Sequence, residues 1–425
     1  MRAILLAAVV LAAAVVGACG GGDEKPTGPQ KLDLTIGNLT PLTGYLDPFG
    51  KSAQRAADVA AEEIRKAAAK AGARHTVKVQ HVDDKSEPKT ALAEAKKLVK
   101  AGASCLTGPY GSGTAARVGA QVSVPSKVLQ ITPSAGAVQL TDVNDRGYLN
   151  RVVPPDTMQA DALAEYMAGK LKGGARGKSV NIGTLESTYG AAVTKRFEQV
   201  WRGKGGQVGR KATYKADSTI FTAPADLLAQ GKPDAWVFID FVDTYLKVAR
   251  ELETNKSARW TPRKTFATES LASPRLPTAG PTVSDGLSGV AISAPEKGEP
   301  AEAFDTAYKR VPGTTRQTYD AQQFDAVVLC YLAAVAAGTT KGEDMKDELR
   351  GITAAPGRKY TWLQLDQAIR ALESGADINY EGVSGPIELN DDGDATAAVY
   401  DVFRFKDGKL DLTDQIAIPV GSGGV

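Results

Sequence analysis

ASCLTGPYGSGTAARVGAQVSVPSKVLQITPSAGAVQL, residues 103–140, holds two short apolar segments, Ala103–Thr107 and Lys127–Thr132. Both read as buried parallel strands. Each is followed by a loop of small residues, Gly108–Thr114 and Pro133–Gly136, and each loop is expected to run into a helix start. Small residues let a ligand come close to the backbone. Free N–H groups at a helix N-terminus favour an anion such as a carboxylate. In an open α/β sheet the ligand sits beyond the carboxyl ends of the strands, where both loops lie. Two ordinary strand-to-helix turns have the same composition, so the loops alone leave both readings open.

The rhythm extends outward in both directions. Before this stretch come a strand at Leu32–Leu39, an Ala-rich helix at Lys51–Ala71, a strand at Thr76–Val82 and a helix at Lys89–Ala101. That alternation predicts a parallel sheet flanked by helices. Arg151-Val-Val-Pro-Pro-Asp156 interrupts it and reads as a crossover. A second series follows: a helix at Asp156–Lys172, strands at Ser179–Leu185, Ala235–Ile239, Thr265–Thr268 and Gly289–Ser293, and helices at Ala191–Gly203 and Thr244–Thr254. Pro295–Pro300 is a second crossover. Helices are expected at Ala301–Arg310, Tyr319–Ala337 and Tyr360–Leu372, then strands at Pro386–Leu389 and Ala397–Phe405. Asn390-Asp-Asp-Gly-Asp394 resembles part of a calcium loop, but its Gly comes too early and no Glu stands at the twelfth position. It reads as a hairpin turn. The pattern predicts two α/β units, each completed by later segments, closing around a ligand at their interface.

The N-terminus belongs to export. Arg2, an apolar run from Ala3 to Val16 and the small residues before Cys19 make a secretory signal too short to span a membrane comfortably. Val16-Gly-Ala-Cys19 resembles a bacterial lipobox, so residues 1–18 are expected to be removed and Cys19 lipidated. Residues 19–30, polar and rich in Gly and Pro, then form a flexible tether. Cys105 and Cys330 are left open between an exported disulfide and two buried thiols. Neither has the CxxC spacing of a metal or redox motif.

Composition excludes several functions. Lys+Arg 51 against Asp+Glu 49 in 425 residues gives a net charge of +2, which offers nothing to nucleic acid. There is no Gly-x-Ser-x-Gly elbow, no Walker loop and no dinucleotide fingerprint after a strand. The only histidines, His75 and His81, fall in or beside one strand without metal-ligand spacing and read as structural. A surface hydrolase loses its footing on these absences. The expectation is a non-enzyme without cofactor or metal.

From Leu32 to about Asp411 the chain resembles the solute-binding proteins of branched-chain amino acid ABC transporters, the type I periplasmic-binding fold. The resemblance rests on Ile36-Gly-Asn-Leu-Thr-Pro-Leu-Thr-Gly44, Val82-Asp-Asp84, Thr107–Thr114, Ile131-Thr-Pro-Ser-Ala-Gly136, Thr188-Tyr-Gly190, Glu269, Ala321–Val327 and Gly382–Pro386, in order along nearly the full chain. It implies two Rossmann-like lobes with parallel sheets joined by a multi-strand hinge. Residues 31–152 with 296–396 would form the first lobe, and 153–295 with 397–425 the second. It also puts Cys105 and Cys330 together in the first lobe.

Carried over residue by residue, the resemblance gives the ligand carboxylate to Gly111, Ser112, Ser134 and Gly136. The family often has Thr where Gly136 stands. Tyr189 becomes the aromatic of the second lobe, Phe49 an aromatic wall of the first, Asp240 and Phe241 a contact region, and Glu269 the acid for the ligand ammonium. The chemistry agrees, since a neutral Gly/Ser loop suits a carboxylate and a buried acid suits an ammonium. The expected protein is a monomeric receptor, lipid-anchored on the outer face of the cytoplasmic membrane. It would hand a small polar ligand, an amino acid of the branched-chain kind or similar, to ABC permease and ATPase subunits. The alternative is a sensing module for an amide, urea or aromatic acid that signals through a partner.

Overall fold

The computed structural model describes residues 31–44, 46–310 and 316–418. The leader, Cys19 and the tether lie outside them.

A first sheet is built from β1 (Lys31–Thr40), β2 (Arg74–Asp83), β3 (Cys105–Thr107), β4 (Leu129–Thr132) and β5 (Leu149–Arg151), in the order β2-β1-β3-β4-β5. Every pairing in it is parallel. The helix Gly50–Ala71 lays Ala53, Ala56, Ala57, Ala60, Ile64 and Ala68 against this sheet at helical spacing. It stops at Gly72, whose left-handed backbone closes the last turn onto the Ala68 and Ala69 carbonyls.

β6 (Ser179–Leu185), β7 (Gln207–Tyr214), β8 (Ala235–Ile239), β9 (Thr265–Ala267) and β10 (Ser288–Ile292) start a second sheet. The chain then returns to the first core. The helices Glu299–Tyr308 and Asp320–Ala337 bury Phe304, Tyr308 and Phe324 there, and a small sheet of β11 (Arg358–Thr361), β12 (Ile378–Gly382) and β13 (Gly385–Pro386) packs beside them. Finally β14 (Ala398–Lys406) and β15 (Lys409–Ile418) cross back, giving the order β15-β14-β10-β9-β8-β6-β7. One face of this second sheet packs on the helices Thr157–Lys170 and Thr188–Gly203, the other on Thr222–Ala229 and Val242–Thr254. The chain thus passes between the two cores three times, a multi-strand hinge.

Cys105 of β3 and Cys330 of the helix Asp320–Ala337 form a disulfide, with Cα atoms 6.0 Å apart across 225 residues of sequence. The chain-entropy account of such a closure gives about 5 kcal/mol of stabilisation. Both histidines are engaged within the first lobe. His75 Nδ1 lies 2.7 Å from the Tyr331 hydroxyl, and His81 bridges Asn38 and Asp58 at 3.0 Å each.

Several expectations need correction. The loop Pro133–Gly136 leads only into a single 3-10 turn, Val138–Leu140, and not into a helix. Tyr360 lies in β11, and the expected helix begins at Leu365, after a capping box of Thr361 and Gln364. Of Pro386–Leu389 only Pro386 lies in a strand, while Leu389 bridges Ala395 across the turn. That turn closes on the Asn390 N–H to Asp394 carbonyl bond at 3.0 Å. The Asp394 carboxylate receives Arg151 Nε and the Thr141 hydroxyl, both at 2.6 Å.

Candidate functional site

The carboxyl ends of the two sheets converge on a small cavity of about 20 Å3. Ser134 and Gly136 line it from the first sheet's loops, Asp156 and Gln159 from the start of the helix Thr157–Lys170, Glu269 from the end of β9, and Tyr319 from the start of the helix Asp320–Ala337. Ile292 of β10 and Tyr400 of β14 complete the second-sheet side.

The two small-residue loops are stitched together. The Thr132 hydroxyl donates to the Pro109 carbonyl at 2.7 Å, the Ser134 hydroxyl to the Tyr110 carbonyl at 3.0 Å, and the Ala137 N–H to the Ser112 hydroxyl at 3.2 Å. Asp156 N–H donates to the Gly136 carbonyl at 2.7 Å. Its carboxylate fills the space beside that glycine, because a Cβ on Gly136 would stand 2.0 Å from Asp156 Oδ1. Only a residue without a side chain fits there while Asp156 keeps this position.

Glu269 accepts the Ile292 N–H at 3.2 Å on Oε2 and the Tyr319 hydroxyl at 3.4 Å on Oε1. Tyr189 donates its hydroxyl to Gln159 Oε1 at 2.7 Å. Tyr319 crosses the cleft: it contacts Glu269, and its ring meets Phe49 edge-on at 5.6 Å and Tyr110 at 6.3 Å. Its backbone is left-handed, with φ at 75°. A tyrosine in that region is uncommon, and its surroundings must hold it there.

The electrostatics are lopsided. Burial pushes the Asp156 carboxyl up to about 7, the Glu269 charge adds to the rise, and Arg151 opposes it. Burial also raises Glu269, against the hydrogen bonds from Ile292 and Tyr319. Among the described residues no lysine or arginine lines the cavity. Arg151, behind it, is held by Asp394, the Thr141 hydroxyl at 2.8 Å and the Ala137 carbonyl at 2.9 Å. Two carboxyls without a cation of their own suit a ligand that brings a positive group.

A family model described as periplasmic binding protein matches residues 33–409. The chain belongs to that family. It is a family of solute-binding proteins and not of enzymes. The chain is 33% identical over 168 residues to the Leu/Ile/Val-binding protein BraC3 of Rhizobium johnstonii, a match spanning 39% of this chain and 43% of that one. The matched part is therefore less than half of that relative's length. The crystal structure of the branched-chain amino acid transporter substrate binding protein LivJ from Streptococcus pneumoniae, in complex with isoleucine, shares the fold. Its TM-score is 0.69 at 21% identity, over 91% of this chain and 100% of that one. A solute binding protein from R. palustris in complex with benzoate does so at a TM-score of 0.64 and 18% identity, over 92% and 98%.

In this periplasmic binding protein the residues expected from sequence divide into three groups. Ser134, Gly136 and Glu269 line the cavity. Gly111, Ser112, Phe49 and Tyr189 stand around it. Gly111 begins the helix Ser112–Val118, Ser112 braces Ala137, Phe49 packs on Tyr110 and Tyr319, and Tyr189 holds Gln159. Phe241, 46% exposed, reaches only the far side of Tyr189, ring to ring at 6.1 Å.

Asp240 lies outside the cavity lining. It is fully buried, and its carboxylate is taken by the Tyr214 hydroxyl at 2.6 Å, the Phe241 N–H at 2.7 Å and the Thr244 hydroxyl. These bonds steady the start of the helix Val242–Thr254. The sequence reading missed Asp156, Gln159, Tyr319 and Tyr400. Asp156 follows the Pro154-Pro155 pair and passes for a helix cap, yet its side chain caps nothing.

Proposed function

We propose that this periplasmic binding protein is a lipid-anchored receptor, monomeric and exported, that captures a small α-amino acid and presents it to an ABC permease. Cys19 would carry the lipid and residues 20–30 the tether. The carrying observation is the pair Asp156 and Glu269, facing one cavity that has no cation in its lining. An ammonium supplies the missing charge, and the Ser134–Gly136 loop offers backbone N–H groups to a carboxylate. Phe49, Tyr189 and Tyr319 wall an apolar side chain. The match to a Leu/Ile/Val-binding protein supports a branched-chain ligand.

The cavity of about 20 Å3 is the size of one water. Binding an amino acid therefore requires the two lobes to part and re-close around it, with Tyr319 moving from its bridge. A fold neighbour holding benzoate marks the competing ligand class. A benzoate brings no cation, and here it would add a third negative group beside Asp156 and Glu269.

Calorimetry with leucine, isoleucine, valine and benzoate tests the reading. Binding of an amino acid, with none of benzoate, is expected. Binding of benzoate alone would overturn the ligand class. Palmitate labelling that persists in Cys19→Ala would overturn the anchor.

A further inference from the structure

The second sheet has a far end, away from the cleft, where its parallel strands begin. A concave pocket of about 400 Å3 opens there. Lys170 comes to it from the end of the helix Thr157–Lys170, Arg263 and Lys264 from the turn before β9, and Arg404 from β14. Among the described residues the wall contains these four cations and no acid.

Little on the protein balances them. Arg263 pairs with Asp285 at 3.2 Å. Among the described residues Lys170, Lys264 and Arg404 have no ion pair within 4.0 Å. Lys170 instead lies over the Tyr166 ring, 5.5 Å from its centre. Acids stand in the neighbourhood but outside the lining, and none forms an ion pair with Lys170, Lys264 or Arg404 among the described residues. Asp234 feels the Lys264 charge yet bonds Lys178, Asp414 lies toward Tyr166, and Asp411 faces Arg404 in strand register without pairing.

The floor is built rather than accidental. Tyr166 and Ser288 line it at 8% and 7% exposure, so two nearly buried hydroxyls stand at its base. Two backbone devices shape the wall. β15 carries a bulge opposite Val402 and Phe403, and Thr413 is the extra residue it sets at the pocket. Gly286, with φ at +89°, gives room to the Arg263 stem, since a Cβ there would stand 2.3 Å from Arg263 Cγ.

Four like charges in one concavity repel one another, and an oxyanion with several acceptor oxygens relieves that best. We propose that this pole pocket is a second binding site, separate from the cleft, for a phosphate group. Lys264, Arg404 and Lys170 neutralise it and the Tyr166 hydroxyl donates to it. The group is carried either by free phosphate or by an anionic lipid headgroup.

The purified mature protein is titrated with inorganic phosphate at ionic strength held constant with chloride, and separately with phosphatidylglycerol and phosphatidylcholine vesicles. The proposal expects saturable phosphate binding by calorimetry, weakened about tenfold in Lys264→Gln and again in Arg404→Gln. Amino-acid binding in the cleft should be unchanged in both variants. Retention on phosphatidylglycerol but not phosphatidylcholine vesicles, lost in the same variants, assigns the phosphate to lipid. Phosphate binding without vesicle retention assigns it to a soluble ion. A phosphate response equal to that of chloride, or one that both variants keep in full, overturns the site.

Discussion

Asp240 and Asp156 both stand at the start of a helix beside the cleft, and burial raises both carboxyls, to about 6 and about 7. Their surroundings differ. Asp240 receives three donors, from Tyr214, Phe241 and Thr244. Asp156 occupies the N-cap position of its helix without a side-chain cap bond and turns its carboxylate beside Gly136 toward Glu269. A buried acid with donors on both oxygens serves the scaffold. One left open beside a second acid is held ready for something that arrives.

The largest effect expected from this contrast falls on Glu269. Glu269→Gln keeps the shape and removes the charge, and losing one partner of a buried charge pair costs about 2–5 kcal/mol. Leucine affinity by calorimetry should fall by roughly thirty-fold or more. A loss under threefold would mean that the pair does not receive the ligand.

Gly136 sharpens the comparison. Gly136→Ala forces the Asp156 carboxylate out of place, an overpacking cost of about 1–3 kcal/mol. Asp156→Ala in the same chain removes the clash, so the double variant should be less unstable to urea than the two single losses added together. Strict additivity would show that the two residues do not compete for one space.

Asp240→Asn should behave in the opposite way. Unfolding in urea should show a loss of about 1 kcal/mol from the mismatched donors, while leucine affinity stays within about twofold. A large affinity loss with intact stability would return Asp240 to the ligand.

The smallest effect on affinity is that of pH. Asp156 titrates near 7 in the folded chain against 3.8 ordinarily, so the folded state holds the proton more tightly than the unfolded one. Ligand-free stability should therefore fall as pH rises from about 4 through 7 and level off above. Affinity for an ammonium ligand should rise several-fold, roughly, between pH 6 and 8 as the carboxylate ionises, with Glu269 beside it and Arg151 behind. Asp156→Asn should flatten both slopes.

Sequence disclosed the interior better than the edges. Ser179–Leu185 and Ala235–Ile239 are apolar runs between turn residues, and they are strands over those same bounds. β7 and β15 escaped because they are outer strands whose residues mostly face water, so little apolar alternation marks them. The missing β7 also hid the partner of Asp240. Its strand-end position matches that of Glu269, but Tyr214, the donor that occupies it, lies on the strand that was not read. Asp156, Gln159, Tyr319 and Tyr400 come from separate segments, each with a sufficient local role. Only their convergence in space marks them. The resemblance named Ser134, Gly136 and Glu269, and these three line the cavity.

The bond between Cys105 and Cys330 makes a closed ring of the chain between them, and β4 through β10 lie within that ring. The strands β14 and β15, which finish the second sheet, lie outside it. A protease that cuts once anywhere inside the ring therefore produces no separate fragments. The nicked molecule runs as one species on a denaturing gel until a reductant opens the bond between Cys105 and Cys330.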